Sequence, residues 1–331
     1  MIVGCASRLL TAILVVVSVD LIGAGTVLAQ RTGPVKIGAL TAAWGPTTAV
    51  VGLRDGLQEL GYRENTDFVI GVRFTQGNAE ELPGAARELV RLGVDILVTD
   101  GTGDAAKAAQ MAAVERIPIV FMGATDPVAR GLVRSLGRPG GNVTGIADLG
   151  SELGPKRLEI FRELVPGLKR VLLPYDASET AFDQMLTVYR AAAQRLGLIL
   201  VEKPLRTQEE ARIAVAEMPK GQVDGILSPR WLSLNIPGFM LDAASRQAAP
   251  TMFHDSFFVE RGGLASYAAN STQVGRQAAR LVDRIIKGTK PADLPVEQPT
   301  KFELVINLKT AKALRLTIPP SLLLRADQVI E

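Results

Sequence analysis

Glycine and hydroxyl residues between positions 100 and 107 form the stretch best suited to bind an anion. The sequence Asp100-Gly101-Thr102-Gly103-Asp104 follows an apolar segment and leads directly into a helical pattern. Free backbone amides and the positive end of a helix would favour a carboxylate or a phosphate there. In a second interpretation Thr102 or Asp104 is only the N-cap of the helix. We favour the ligand role, because the predicted fold places this loop at a cleft.

A tryptophan follows the first predicted strand, in the sequence Thr41-Ala42-Ala43-Trp44-Gly45. The indole lies between small residues and a helix start, so it could stack on a flat or apolar ligand. Packing between two lobes is the alternative role of the same side chain, and the sequence does not decide between them.

The chain carries no motif for catalysis. The pair Gly101-x-Gly103 lacks the third glycine of a dinucleotide fingerprint and the glycine-lysine end of a phosphate-binding loop. No serine lies in a glycine-x-serine-x-glycine elbow, since Ser228 is followed by Pro229. His254 is the one histidine, and we expect it to be a structural residue near a helix start rather than a zinc ligand. We therefore expect no enzyme activity, no cofactor and no metal site.

Short β-branched segments alternate with helical patterns along the chain and predict the elements that position these loops. The first series predicts strands at 35–40, 67–74, 94–99 and 117–122, with helices at 48–60, 78–93 and 104–114. The second predicts strands at 169–173, 198–202, 223–227 and 251–253, with helices at 179–196, 207–217 and 237–247. The turn-rich segment 137–145 between them predicts a linker. This order requires parallel sheets with right-handed crossovers, and hence an α/β fold of two doubly wound lobes.

Two such lobes form a cleft between them. Ligands of doubly wound sheets bind outside the carboxyl ends of the strands. The loops expected to line the cleft follow Leu40, Thr99, Met122, Leu173, Leu227 and Phe253.

Residues 1–29 predict a cleavable secretory signal. Arg8 precedes the apolar run 9–19, and the small-residue sequence Val27-Leu28-Ala29 ends before Gln30. A transmembrane anchor is the alternative, and it is disfavoured by Asp20 within the apolar stretch. Cleavage would remove Cys5, the only cysteine, so the mature chain would contain no disulfide.

The balance of charges is only mildly basic. Thirty-seven lysines and arginines against 34 acidic residues give a net charge of +3, and no block of like charges is present. The composition therefore predicts no nucleic-acid partner and no membrane-binding patch.

Three parts of the sequence resemble the TrpX-like family, which comprises ABC-transporter substrate-binding proteins related to tryptophan- and tyrosine-binding members. The first part combines Phe121-Met122-Gly123-Ala124-Thr125-Asp126-Pro127-Val128 with Arg138-Pro139-Gly140-Gly141-Asn142-Val143-Thr144-Gly145. The second is Gly262-Gly263-Leu264-Ala265-Ser266-Tyr267, and the third runs almost continuously from Lys287 to Asn307. The resemblance covers most of the mature chain.

The resemblance implies a type I periplasmic binding fold, with two α/β lobes joined by a three-crossing hinge. The first lobe would comprise residues 30–146 and 266–298, and the second residues 147–265 and 299–331. The helix from about Thr272 to Ile286 would thus return to the first lobe, and the strand 302–306 would belong to the second.

The resemblance also implies a set of ligand-contacting residues from both lobes. In the first lobe these are Trp44, Gly45, Gly101, Thr102, Ala124, Thr125 and Asp126. In the second lobe they are Tyr175, Asp176, Ser228 and Asp255. Gly101 and Thr102 would contact an acidic group, and Asp176 or Asp255 would contact an ammonium group. For Asp126, capping of a following helix is an equal alternative.

Two departures from the family pattern lie near these residues. Pro174-Tyr175-Asp176 stands where relatives often have asparagine-proline, and Arg261 stands where they often have alanine. We therefore do not transfer the aromatic amino-acid specificity of the family to this chain.

The resemblance and the absence of catalytic motifs together predict a periplasmic solute-binding component of an ABC transporter. It would capture a small organic ligand, amino-acid-like or an aromatic acid, by hinge closure. It would act as a monomer and deliver the ligand to a permease that works with an ATPase at the inner membrane. The alternatives are a periplasmic sensory receptor and an exported enzyme that uses the same cleft.

Overall fold

A computed structural model describes residues 33–101, 103–114, 116–177, 182–207, 209–210, 213–214, 219, 221–229 and 239–331. The predicted signal at 1–29 and Thr102 lie outside these ranges, as does most of the predicted helix 207–217. Residues 33–331 form one compact unit.

The first sheet has five parallel strands in the order β2-β1-β3-β4-β5. The strands are β1 Val35–Thr41, β2 Phe68–Phe74, β3 Ile96–Asp100, β4 Ile119–Thr125 and β5 Val143–Asp148. Every residue of β4 is buried, as expected for a central strand covered on both faces.

Three helices connect the strands of the first sheet: α1 Thr48–Glu59, α2 Leu82–Arg91 and α3 Asp104–Ala113. A short 3₁₀ turn, Ala79–Glu81, precedes α2 and is capped by Asn78, whose Oδ1 accepts from Glu80 N at 3.1 Å.

The second sheet has seven strands in the order β12-β11-β10-β9-β8-β6-β7. The strands are β6 Arg170–Asp176, β7 Ile199–Leu205, β8 Gly225–Ser228, β9 Thr251–Phe253, β10 Ala265–Ala269, β11 Phe302–Asn307 and β12 Gln328–Ile330. Only the β10–β11 pair is antiparallel among the described pairs. The predicted α/β class with two doubly wound, mainly parallel sheets is confirmed.

Seven further helices have both ends within the described ranges and lie between or after these strands. They are α4 Gly150–Leu164, α5 Phe182–Leu196, α6 Phe239–Gln247, α7 Ser256–Glu260, α8 Ser271–Ile286, α9 Leu308–Ala313 and α10 Pro320–Leu323. None of the helices in the described ranges is long and apolar enough to span a bilayer.

The predicted linker at 137–145 is wrong at its end, because β5 begins at Val143 and forms an edge of the first sheet. The glycines before Val143 obscured this short buried strand. The sequence also did not reveal α4, which contains Gly154 and Pro155. Gly154 is needed there, since a Cβ atom would lie 2.8 Å from the ring of Tyr189.

Helix α8 follows a strand of the second sheet but packs on α1 of the first. The two helices approach closely at glycines, because a Cβ atom on Gly52 would lie 2.1 Å from the carbonyl oxygen of Thr272. A Cβ atom on Gly275 would lie 2.0 Å from the carbonyl oxygen of Ala49. We call the elements on the first sheet, with α8, the first lobe, and the elements on the second sheet the second lobe.

The chain passes between the lobes three times. The first crossing joins β5 to α4, the second joins β10 to α8, and the third leads from Glu297 to β11. Strand β5 extends to Asp148 and β10 to Ala269, beyond the boundaries predicted at 146 and 265. The exact division of the chain into lobes stays a prediction.

Candidate functional site

The predicted ligand-contacting residues lie at or next to the carboxyl ends of strands. In the first lobe β1 ends at Thr41, β3 at Asp100 and β4 at Thr125. In the second lobe β6 ends at Asp176 and β8 at Ser228. Ligands of doubly wound sheets bind at this edge.

Trp44 lies in the bend after β1 and keeps 48% of its surface exposed. Hydrogen bonds hold the bend in place, because Gly77 N donates to Ala42 O at 2.7 Å and Gln76 N donates to Ala43 O at 3.1 Å. No atom lies within 4 Å of the position that a Cβ atom would take on Gly45. A fixed backbone with an exposed indole favours the stacking role over packing between lobes.

The loop between β3 and α3 has a backbone that requires glycine. Gly101 and Gly103 adopt φ angles of +128° and +123°, which side chains other than glycine rarely tolerate. Gly103 is the N-cap of α3 and provides no capping side chain. The alternative in which Asp104 caps the helix is therefore wrong, since Asp104 is the first helical residue.

Arg130 is a neighbour of this loop that the sequence did not reveal. Its Nη1 donates to Asp104 Oδ1 at 3.1 Å, and a Cβ atom on Gly103 would lie 2.9 Å from Arg130 Cδ. The Arg130 side chain is 17% exposed. A guanidinium thus adds positive charge beside the N-terminus of α3, where the helix dipole already favours an anion.

The three predicted residues around the end of β4 have different environments. Ala124 is fully buried in the core of the first lobe, so its side chain presents no surface to a ligand. Thr125 is buried, and its Oγ1 donates to Asp148 Oδ2 at 3.5 Å. Asp126 is exposed, and its Oδ1 accepts from Ala129 N at 3.0 Å. This bond caps a turn rather than the helix considered as the alternative.

Three predicted residues of the second lobe lie at the ends of β6 and β8. Tyr175 is half-buried against the core, and Asp176 is 3% exposed. Ser228 is fully buried, and its Oγ has no hydrogen-bond partner among the described residues.

Asp255 uses both carboxylate oxygens within the protein. Oδ1 caps α7 by accepting from Phe257 N at 2.9 Å. Oδ2 accepts from Ser271 Oγ, in the first turn of α8, at 3.3 Å. A carboxylate offers about four acceptor sites, so Asp255 can accept further hydrogen bonds besides these two.

Phe257 and Arg261 form a second feature that sequence reasoning did not identify. Phe257 is 37% exposed, and the Arg261 guanidinium carbon lies 3.5 Å from the centre of its ring. Arg261 Nη1 also donates to Phe257 O at 3.1 Å. Arg261 therefore covers the aromatic surface of Phe257, on the short helix that Asp255 caps.

His254 has the structural role that was predicted. It is buried, and its Nδ1 lies 3.2 Å from Ser228 O. Its ring is tilted against Phe258 with the ring centres 5.4 Å apart. Within the described ranges, no group of three or more His, Cys, Asp or Glu residues is arranged to hold a metal.

Comparison with protein families gives a match over nearly the whole described chain. Residues 36–330 match the model of the ABC transporter substrate binding protein family. A tyrosine-binding protein of Clostridioides difficile is 28% identical over 264 residues, which are 80% of this chain and 75% of that protein.

Solved structures of high similarity come from two other bacteria. An ABC domain of Streptococcus pneumoniae in complex with L-tryptophan superposes with a TM-score of 0.78 and 28% identity, over 90% of this chain and 100% of that chain. A conserved domain protein of Vibrio cholerae has a TM-score of 0.78 and 30% identity, over 89% of this chain and 99% of that chain.

Proposed function

Because this chain belongs to the ABC transporter substrate-binding protein family, we propose that it captures an amino-acid-like ligand or an aromatic acid by hinge closure. The closed protein then delivers its ligand to a membrane permease that works with an ATPase. We place this step in the periplasm, with the receptor acting as a monomer. No bond of the ligand is made or broken.

The observation that carries this proposal is the pairing of two surfaces at one edge of the first sheet. The N-terminus of α3, with Arg130 beside it, suits a carboxylate. The exposed indole of Trp44 suits a flat apolar group. A molecule that contains both groups is an aromatic acid or an aromatic amino acid.

We assign the roles of the site residues accordingly. The backbone at Gly101 and Gly103 binds the carboxylate, with Thr102 beside it, and Trp44 stacks on the side chain. Asp176, at the end of β6, or Asp255, at the start of α7, binds the ammonium group. Tyr175 and Ser228 complete the second-lobe side of the site.

Two relatives support an amino-acid ligand. One is described as a tyrosine-binding protein, and the other was crystallised in complex with L-tryptophan. The residues Tyr175, Asp176 and Arg261 depart from the common family pattern, so the ligand panel must extend beyond these two amino acids.

The experiment is a calorimetric titration of the purified chain lacking residues 1–29. The panel comprises L-tryptophan, L-tyrosine, L-phenylalanine, indole-3-acetate, L-leucine, L-glutamate and L-arabinose. We expect saturable binding of at least one aromatic member and none of arabinose. Binding of arabinose alone, or chemical turnover of any member, would contradict the proposal.

A further inference from the structure

Two carboxylates of the second lobe reach the N-terminus of α8, the 16-residue helix that packs in the first lobe. Glu303 Oε2, on β11, accepts from Asn270 Nδ2 at 2.5 Å. Asp255 Oδ2, at the start of α7, accepts from Ser271 Oγ at 3.3 Å. We call Asp255 and Glu303 the hinge carboxylate pair, because both bonds lie where the chain crosses from β10 to α8.

Asn270 connects the pair to the helix itself. Its side-chain Oδ1 accepts from Gln273 N at 2.9 Å and so caps α8, while its Nδ2 donates to Glu303. The carboxylate polarises this amide, which strengthens the capping bond. Both carboxylates also lie near the positive end of the helix dipole, which attracts negative charge.

Side-chain hydrogen bonds hold the chain on both sides of the crossing from β10 to α8, and we call these bonds of Gln277 and Arg157 the clamps. In the first lobe, Gln277 of α8 binds the third crossing, since its Nε2 donates to Gln298 O at 3.1 Å and its Oε1 accepts from Thr300 N at 3.2 Å. In the second lobe, the buried Arg157 of α4 donates from Nε to Tyr267 O at 2.7 Å. At this crossing Asn270 and Ser271 lie between the two clamps, which makes them candidates for the point of rotation.

The environment of Glu303 disfavours its ionised form. Burial raises the pKa of Glu303, and the carboxylates of Asp255 and Asp327 raise the same pKa further. Hydrogen bonds from Asn270 and Ser256 act in the opposite direction. Within the described part of the chain, no lysine or arginine forms an ion pair with Glu303. The hydrogen bonds from Asn270 and Ser256 favour the charged form, and the nearby N-terminus of α8 adds positive potential.

We propose that Asp255 and Glu303 are hinge-positioning residues, which hold the positive end of α8 and thereby set the balance between open and closed lobes. Loss of either bond shifts this balance, and the ionisation of Glu303 makes the balance depend on pH. The link to affinity rests on the proposed function, since ligand affinity scales with the fraction of binding-competent protein.

The test measures the distance between lobes in the ligand-free protein. The predicted mature chain lacks cysteine, so Gln58→Cys on α1 and Gln194→Cys on α5, both exposed, give two unique spin-label sites. Double electron–electron resonance then records the distance distribution for the parent, Glu303→Gln and Ser271→Ala. Glu260→Gln is the matched control, because it removes an exposed carboxylate of the second lobe outside the hinge.

We expect Glu303→Gln and Ser271→Ala to shift or broaden the distribution at pH 8, while Glu260→Gln leaves it unchanged. As the pH falls from 8 to 4, which is below the raised pKa of Glu303, the parent should move towards the distribution of Glu303→Gln, which should itself change little. Distributions of the parent, Glu303→Gln and Ser271→Ala that superimpose at both pH values would overturn the proposal.

A parallel titration with L-tryptophan separates this inference from the proposed function. If a substitution changes the fraction of binding-competent protein threefold, the Kd for L-tryptophan should change by about the same factor. A shift of the distance distribution without binding of any ligand in the panel would sustain the hinge role and contradict the receptor role. Binding of a ligand with unchanged distance distributions would sustain the receptor role and contradict the hinge role.

Discussion

Arg130 Nη1 lies 3.1 Å from Asp104 Oδ1, so a guanidinium and a carboxylate meet at the first turn of α3. The guanidinium adds to the positive potential of the helix N-terminus, and Asp104 reduces it. An anionic ligand at Gly101 and Gly103 would therefore be attracted by Arg130 and repelled by Asp104.

Substitutions at this pair should change the affinity for a carboxylate in opposite directions. Arg130→Gln should weaken binding about threefold to tenfold, in line with the strength of charged hydrogen bonds. Asp104→Asn should strengthen binding. Titration calorimetry of each variant with L-tryptophan and with its uncharged amide measures the effect. The exposed Arg134 provides the control variant Arg134→Gln. Equal losses for the acid and the amide would show that Arg130 does not act on the carboxylate.

Trp44 should contribute to affinity for aromatic ligands only. Trp44→Ala removes the exposed indole and should cost about 1 kcal/mol of binding free energy, or roughly fivefold in Kd, while Trp44→Phe should retain most of it. Leu324→Ala is the control, because Leu324 is 88% exposed and distant in sequence from the site. The measurement compares L-tryptophan with L-leucine. A uniform loss for both ligands would indicate a structural role for Trp44.

The contact between α1 and α8 should depend on Gly275. Gly275→Ala places a Cβ atom 2.0 Å from Ala49 O, so the helices must separate. We expect a loss of about 3 kcal/mol in the free energy of unfolding, measured by urea denaturation. Gly84→Ala, on the exposed side of α2 with no atom within 4 Å, should instead stabilise by about 0.5–1 kcal/mol. Similar effects at the two glycines would contradict the packing described for α8.

The phenol of Tyr62 should ionise late in an alkaline titration. Burial and the hydrogen bond to Asp283, at 2.8 Å, raise the pKa of Tyr62 to about 12. The unfolded chain ionises near the ordinary tyrosine value, about 10, so the stabilisation is present below that pH and is lost as the pH rises towards about 12. Burial also raises the pKa of the fully buried Tyr189, so ultraviolet difference titration should show two late phenols, and Tyr62→Phe should remove one of them. An unchanged number of late phenols in Tyr62→Phe would contradict this assignment.

The buried side chain of Gln277 should stabilise the third crossing. Gln277→Leu leaves Thr300 N and Gln298 O without this partner, which should cost about 2 kcal/mol of the free energy of unfolding. Gln273→Leu, one turn earlier on α8 and half-buried, is the control. An unfolding midpoint that is the same in both variants would argue against the clamp.

Residue type alone located much of the fold and part of the site. Short apolar and β-branched runs predicted eight of the strands, because such runs are typical of strands in a covered sheet, and the family resemblance added the strand 302–306. Trp44 and the glycines after β3 stood out since their chemistry is unusual beside a strand end.

Other features depend on contacts that the sequence does not display. Arg130 contacts Asp104 although the two residues are 26 positions apart in the sequence. Ala124 was expected in a loop because the strand was predicted to end at Met122, yet β4 continues to Thr125 and buries Ala124. The family resemblance predicted that α8 returns to the first lobe, but the bond from Ser271 Oγ to Asp255 Oδ2 is a tertiary contact that no residue pattern displays.

Closure on a ligand is the central claim, and the distance between labels at positions 58 and 194 tests it most directly. L-tryptophan, L-tyrosine and L-phenylalanine are added one at a time at saturating concentration, with L-arabinose as the control. We predict that at least one aromatic amino acid moves the distribution to a single narrower, shifted peak, and that arabinose leaves it unchanged. A distribution that none of the three amino acids alters would contradict the account.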